Sequence, residues 1–389
     1  MDYEIVKLKE ISDFNKESIG KNSNYEFINY LDTANITNGA IDTIVRMPIE
    51  EAPSRAKRIV HNNDIVYSTV RPNLCHYGIL DSPVENMIVS TGFTVISCKD
   101  DVNPYYVYNY LTQNDITSQL HSIAENSTSA YPSIKPSDLE NIEIKLPKLD
   151  IQNKIAKILT DIDKKIKINN EINNNLSEQI KYIYNDIFTD YEDYKRLDEI
   201  SNVTIGKTPP RSEQECFTTN KNDVKWVSIS DLGKSGMFIF DTSEKLTQEA
   251  VNKYNVKVIP KDTVILSFKL TVGRTGFTTE DMTTNEAIAH FDLNNKELNN
   301  YLYCTLTYFN YSDLGSTSSI ATAINSKIVK SIKIGIPSDE QLNKFNNLTS
   351  AMFRTIKNNE SENIKLSDLR DTLLPKLMNG EIDLDNIEI

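Results

Sequence analysis

The chain has 389 residues and a net charge of −13, long enough for two or three domains with cores of their own. No run approaches the roughly 18 apolar residues of a membrane span, and the acidic, polar start MDYEIVKLKEIS is not that of a signal peptide, so a soluble cytoplasmic protein is expected. Cys75, Cys98, Cys216 and Cys304 are scattered without any CxxC and the four histidines lack ligand spacing, which points to free thiols in a reducing compartment and to no metal site.

The acidic balance argues at first sight against a nucleic-acid partner, because neutralising phosphates takes Lys and Arg. It is uneven along the chain: residues 1–147 hold 12 basic and 20 acidic side chains, whereas residues 193–337 hold 17 of each. No segment is basic overall. A DNA groove would have to be a local patch or be completed by a partner protein.

Residues 1–147 read as short β-type runs broken by polar turns. The runs are Tyr25 to Tyr30, Asp64 to Ser68, Thr91 to Ile96 and Ile142 to Leu146. One helix is expected from Pro104 to about Ser122, with proline in its first turn. This is α+β order rather than alternating βαβ.

Residues 148–188 carry a different signal. Ile155, Leu159, Ile162, Ile166, Asn169, Asn173, Leu176, Ile180, Ile183 and Ile187 follow at alternating steps of four and three, the seam of a coiled-coil helix. Pro147 is expected to close the preceding strand, and Asp150 to cap the helix.

Residues 189–337 repeat the first segment's landmarks. Leu197 to Ser201 matches Leu8 to Ser12; Trp226, Asp231 and Ser267 match Phe27, Asp32 and Ser68; the Ser316, Thr317, Ser318 run matches Ser127, Thr128, Ser129. A shared order with drifting offsets is the mark of a tandem duplication with diverged loops. Residues 338–389 then repeat the seam as Phe345, Thr349, Met352, Ile356, Asn359, Asn363, Leu366, Arg370, Leu373 and Leu377, after Pro337 and a Ser338/Gln341 capping box.

A polar residue on an apolar seam costs stability unless a partner shares its hydrogen bonds. Antiparallel helices would pair Asn169 with Asn363 and Asn173 with Asn359; parallel ones would pair Asn169 with Asn359. Because each helix follows its own globular segment, the repeat favours the antiparallel pair, with the two segments at opposite ends. The alternative is a pair of long core helices within one large domain.

No catalytic constellation stands out. Gly206-Lys207-Thr208 resembles the end of a P-loop, but the glycine required five positions earlier is Ser201, and Pro209-Pro210 follow where a helix should open. A turn is expected there, and no catalytic residue is assigned. Loop residues are the better lead. Arg55, Lys57 and Arg58 stand in APSRAKRIVHNN, Arg71 and Asn73 follow a strand, Lys207, Thr208 and Arg211 surround a proline turn, and Lys269 and Arg274 follow VILSF. Such side chains hold phosphates, and Arg or Asn also read base edges; ordinary solvated charge is the alternative for each. The hydroxyl runs at Ser127, Thr128, Ser129 and Ser316, Thr317, Ser318 suit phosphate contacts or turn capping equally.

The combination resembles the specificity subunit of type I restriction-modification systems. The resemblance spans the chain and rests on Pro147 to Phe188, on Gly206-Lys207-Thr208-Pro209 leading to Trp226, on Gly315 to Asn325, and on the closing LRDTLLPKL from Leu369 to Leu377. The first half departs from it in lacking the turn at Gly206–Pro209. It implies an α+β fold with two target recognition domains, residues 1–147 and 189–337, separated by two long helices forming an antiparallel coiled coil. It also implies a non-catalytic reader of a split double-stranded DNA target that docks two methylation subunits and further restriction subunits. S-adenosylmethionine and ATP would be bound by those partners and not by this chain. A single-chain metal-dependent nuclease and a coiled-coil adaptor without DNA contact are the competing readings.

Overall fold

A computed structural model describes residues 3–20, 25–127, 131–314 and 324–384. The chain divides into two compact units, Met1–Lys165 with Leu366–Ile389, and Ile166–Lys365, so that the division falls inside both long helices. Each unit is considered in turn.

In unit 1 the strand Tyr3–Lys7 pairs antiparallel with Glu143–Pro147. A four-stranded sheet runs in the order Ser12–Phe14, Phe93–Cys98, Ile65–Ser68, Tyr77–Ile79, and a second in the order Val45–Pro48, Phe27–Leu31, Met87–Ser90, Ala56–Ile59. Unit 2 has the same plan. Asp193–Arg196 pairs with Lys333–Ile336, Ser201–Ile205, Ile288–Leu293, Val264–Ser267 and Thr275–Thr278 run in one sheet, and Val224–Val227 pairs parallel to Thr283–Thr284 as Phe27–Leu31 does to Met87–Ser90. The duplicated order of landmarks is therefore a duplicated topology. Ile65–Ser68 and Val264–Ser267 are buried at every position, as short apolar runs covered on both faces must be.

The long helices span Leu149–Ile187 and Asp339–Met378. Every seam position from Ile155 to Ile187 and from Phe345 to Leu377 is buried or half-buried. In unit 2 Asn169 Nδ2 donates to Asn363 Oδ1 at 2.8 Å and Asn359 Nδ2 to Asn173 Oδ1 at 2.9 Å. In unit 1 Arg370 Nη1 meets Asp163 Oδ1 at 2.9 Å, while Ile155, Leu159, Leu373 and Leu377 share one apolar cluster. In unit 2 rising numbers on one helix meet falling numbers on the other, so the pairing is antiparallel. The parallel alternative is excluded. The capping box forms: Ser338 N donates to Gln341 Oε1 at 3.0 Å and Gln341 N to Ser338 Oγ at 3.2 Å.

Three local expectations are corrected and one holds. The helix expected from Pro104 to Ser122 is two helices, Pro104–Leu111 and Asn114–Glu125, with the Thr112 hydroxyl at the break donating to Asn109 O. Pro147 closes its strand as expected, as its last residue opposite Tyr3, a terminal place where its missing N–H costs nothing. Asp150 lies inside the first turn and does not cap the helix; its charge still favours that end. The counterpart of Trp226 is Tyr30 rather than Phe27. Trp226 and Tyr30 are 2 % and 5 % exposed in the corresponding parallel pairs, whereas Phe27 is 44 % exposed.

Candidate nucleic-acid interface

Two equivalent loops stand out, residues 69–75 in unit 1 and 268–273 in unit 2. Each leaves a buried strand at a buried serine, Ser68 or Ser267, whose N–H donates to the strand on the far side, at His76 O and Arg274 O respectively. The two hydroxyls then pin the loops. Ser68 Oγ donates to Val70 O at 3.1 Å and accepts from Val70 N at 3.2 Å; Ser267 Oγ donates to Thr271 O at 2.6 Å and accepts from Arg274 N at 3.1 Å. A hydroxyl that both donates and accepts satisfies two backbone groups at once, so the base of each loop is fixed.

At the third residue beyond each serine the backbone turns left-handed, with φ 49° at Arg71 and 62° at Leu270. In unit 1 the Arg71 guanidinium stacks 5.3 Å from the centre of the Tyr131 ring, and Pro72–Leu74 forms a 3-10 turn carrying exposed Asn73. In unit 2 the tip is Leu270, 95 % exposed, and the loop returns through Gly273 at φ 94°, where a Cβ would lie 3.2 Å from the Tyr311 ring. Lys269 beside it is exposed, its ammonium 5.6 Å from the Phe268 ring.

The other predicted residues separate by what already holds them. Arg55 and Lys57 are exposed on and beside the Ala56–Ile59 strand. Arg58 is half-buried; its Nη1 donates to Ser18 Oγ at 3.2 Å, its Nε is buried without a partner, and burial lowers its pKa. In unit 2 Lys207 Nζ donates to Tyr254 O at 2.6 Å, Thr208 Oγ1 to Glu286, and Arg274 Nη1 to Ile229 O at 2.9 Å. Arg211 makes a two-pronged pair with Glu244 at 2.7 and 2.9 Å, over the rings of Phe217 and Trp226. The Glu244 carboxylate raises its pKa further and neutralises it locally. Ser127 Oγ accepts from Ser133 N at 3.4 Å. Thr128, Ser129, Ser316, Thr317 and Ser318 lie outside the described residues.

Gly206 explains the turn expected at the glycine, lysine and threonine. A Cβ there would fall on Thr284 and Asn285 at 2.1 to 2.4 Å, and Gly206 N and Lys207 N donate to Ile288 O and Thr284 O. The glycine is needed for close backbone approach, no helix follows it, and a phosphate cradle is ruled out. Under this turn His290 is fully buried between Thr204 Oγ1 at 3.0 Å and Thr284 Oγ1 at 2.6 Å, and desolvation pushes its pKa down to about 3. Its counterpart in the matching strand pair of unit 1 is Val95, opposite Val66 as His290 is opposite Ile265. Among the described residues no three His, Cys, Asp or Glu side chains gather as a metal would require, and no helix is long and apolar enough to cross a membrane.

Leu270 is the residue that sequence reasoning missed. The only signal was its offset from Ser267, equal to that of Arg71 from Ser68.

Comparison with known proteins agrees with the duplicated plan. The family model described as type I restriction modification DNA specificity domain matches residues 1–178 and again 190–366. A type I restriction enzyme HindI specificity subunit from Haemophilus influenzae is 23% identical over 439 residues, spanning 92% of this chain and 95% of that protein. The MjaIX specificity subunit from Methanocaldococcus jannaschii is 25% identical over 372 residues, spanning 87% and 82%. The crystal structure of a type I restriction-modification system S subunit from M. genitalium, 15% identical, superposes with a TM-score of 0.61 over 97% of this chain and 96% of that one, and shares the fold. With the specificity domain matched twice in tandem over most of its length, the chain belongs to the family of type I restriction-modification specificity subunits.

Proposed function

We propose that this specificity subunit reads a split sequence in double-stranded DNA, one part with each unit, and brings two adenine-methylating subunits and further restriction subunits to it. The observation that carries the reading is the pair of equivalent loops: one sheet plan, used twice, presents an arginine in one unit and a leucine in the other, each left-handed and each the third residue beyond a buried serine. Exposed Arg55 and Lys57 in unit 1 and Lys269 in unit 2 are suited to phosphates. Arg211, already neutralised by Glu244, serves better to stiffen its turn. The acidic chain relies on its partner subunits to close a positive groove around DNA, and S-adenosylmethionine and ATP belong to those partners. The assembly works in the cytoplasm, where its DNA is.

Mapping methylated adenines in the host genome with and without this gene tests the proposal. A two-part motif that disappears with the gene is expected. A methylation pattern unchanged by the deletion would sink it.

A further inference from the structure

Ten described residues other than glycine have positive φ, and seven of them are Asn, Asp or Ser, whose short polar side chains tolerate that conformation. The other three are Arg71, Cys75 and Leu270. All three lie in the two equivalent loops. A branched apolar side chain gains nothing from a left-handed backbone that glycine or asparagine would adopt more easily, and Leu270, 95 % exposed, gains nothing from burial either. A lone exposed leucine is commonplace. One that is exposed, left-handed, and at the same distance from a pinning serine as the arginine of the other copy is not explained by folding. Strain of this kind persists where the surroundings impose it, typically at sites that bind something.

The loop base has what such a site needs. Ser267 holds Thr271 O and Arg274 N, Gly273 closes against Tyr311, and Tyr311 Oη donates to Leu306 O at 2.7 Å. The tip is thereby presented from a fixed platform. Resting on the DNA-reading function proposed above, we infer that the third residue beyond the strand-end serine is a base-reading position in each unit: Leu270 packs on the C5-methyl group of a thymine in the major groove, and Arg71 reads a guanine edge from the same place. An aliphatic side chain has no polar atom to offer a base, and the thymine methyl is the one carbon group that the major groove presents for it. Arg71, its guanidinium lying over the Tyr131 ring, has the forked donors that match guanine O6 and N7.

The test uses the full-length chain with its methylation subunits in cells, with methylated adenines mapped for the unaltered protein, Leu270→Gly and Leu270→Arg. The unaltered protein should methylate a motif with a required thymine in one part. Leu270→Gly should relax that base alone, by roughly tenfold, and leave the other part untouched. Leu270→Arg should move the preference there toward guanine. Because glycine relieves the backbone, the thermal midpoint of purified Leu270→Gly should not fall, a combination that a merely structural leucine would not give. An unchanged motif in both variants overturns the inference. So does a uniform loss of methylation without relaxation at one base, which would mark a wedge between base steps or a docking role. If the unaltered protein directs no motif at all, the DNA-reading function itself fails.

Discussion

Units 1 and 2 share a sheet order but differ in what fills it. Where unit 1 sets Val95 against Val66, unit 2 buries His290 between two threonine hydroxyls. Where unit 1 seats its long helices on aliphatic Leu159 and Leu377, unit 2 uses rings, with Phe188 4.7 Å from Tyr301 and 5.2 Å from Phe345. The loops begin from equivalent serines and end in unlike tips. Backbone bonding is what the copies hold in common; side-chain chemistry, inside and at the tips, is where they part. A framework kept constant by its hydrogen bonds leaves its contact residues free to change.

Removing the ring that unit 2 relies on is expected to have the largest effect. Phe345→Ala should destabilise that unit by about 3–5 kcal/mol and bring forward the loss of Trp226 fluorescence in denaturant, Trp226 being the single tryptophan. Hydrogen exchange in unit 1 should hardly change; equal loosening of both units would mean that the cores are not separate.

The serines test likeness instead of difference. Ser68→Ala and Ser267→Ala each remove two hydrogen bonds to loop backbone groups and should each cost about 1–3 kcal/mol, with faster exchange confined to residues 69–75 or 268–273. If only one serine matters, the loops are not equivalent.

Acid should separate the units again, more gently. The folded pKa of His290 lies near 3, below its ordinary value of about 6.5, so between these values the unfolded chain takes up a proton that the folded one refuses. The stability of unit 2 is therefore whole above about pH 6.5 and declines by up to about 1.4 kcal/mol per pH unit as the pH falls toward 3. Denaturation followed by Trp226 at pH 7.5 and 5.5 should show this slope, and His290→Val, which copies unit 1, should flatten it. A slope that survives the substitution would assign it to another group.

Much of this was legible in the sequence because the relevant signals are periodic or repeated. The two seams, their asparagines and the duplicated order of strands depend on spacing alone, and spacing survives divergence of the residues between. The break at Thr112 was not legible, since the apolar pattern runs on across it without a glycine or proline. The pairing of Trp226 with Phe27 failed for a related reason: an aromatic residue near the right place was chosen, while strand register and burial select Tyr30. At the candidate interface the sequence pointed to charges, several of which are already engaged inside unit 2, as Arg211 is by Glu244. Leu270 was invisible because nothing in a leucine announces a left-handed backbone or an exposed tip.

The asparagine layer of unit 2 has a mechanical corollary. Sliding one helix past the other by a heptad, about 10 Å, would set Asn169 against Ile356 in place of Asn363, strand its amide in hydrocarbon, and forfeit bonds worth about 1–3 kcal/mol each. Intermediate slips are barred by the side-chain knobs themselves. The helices are thus indexed rather than merely glued: any mispairing comes in whole steps, and the first step away from the native setting is already uphill.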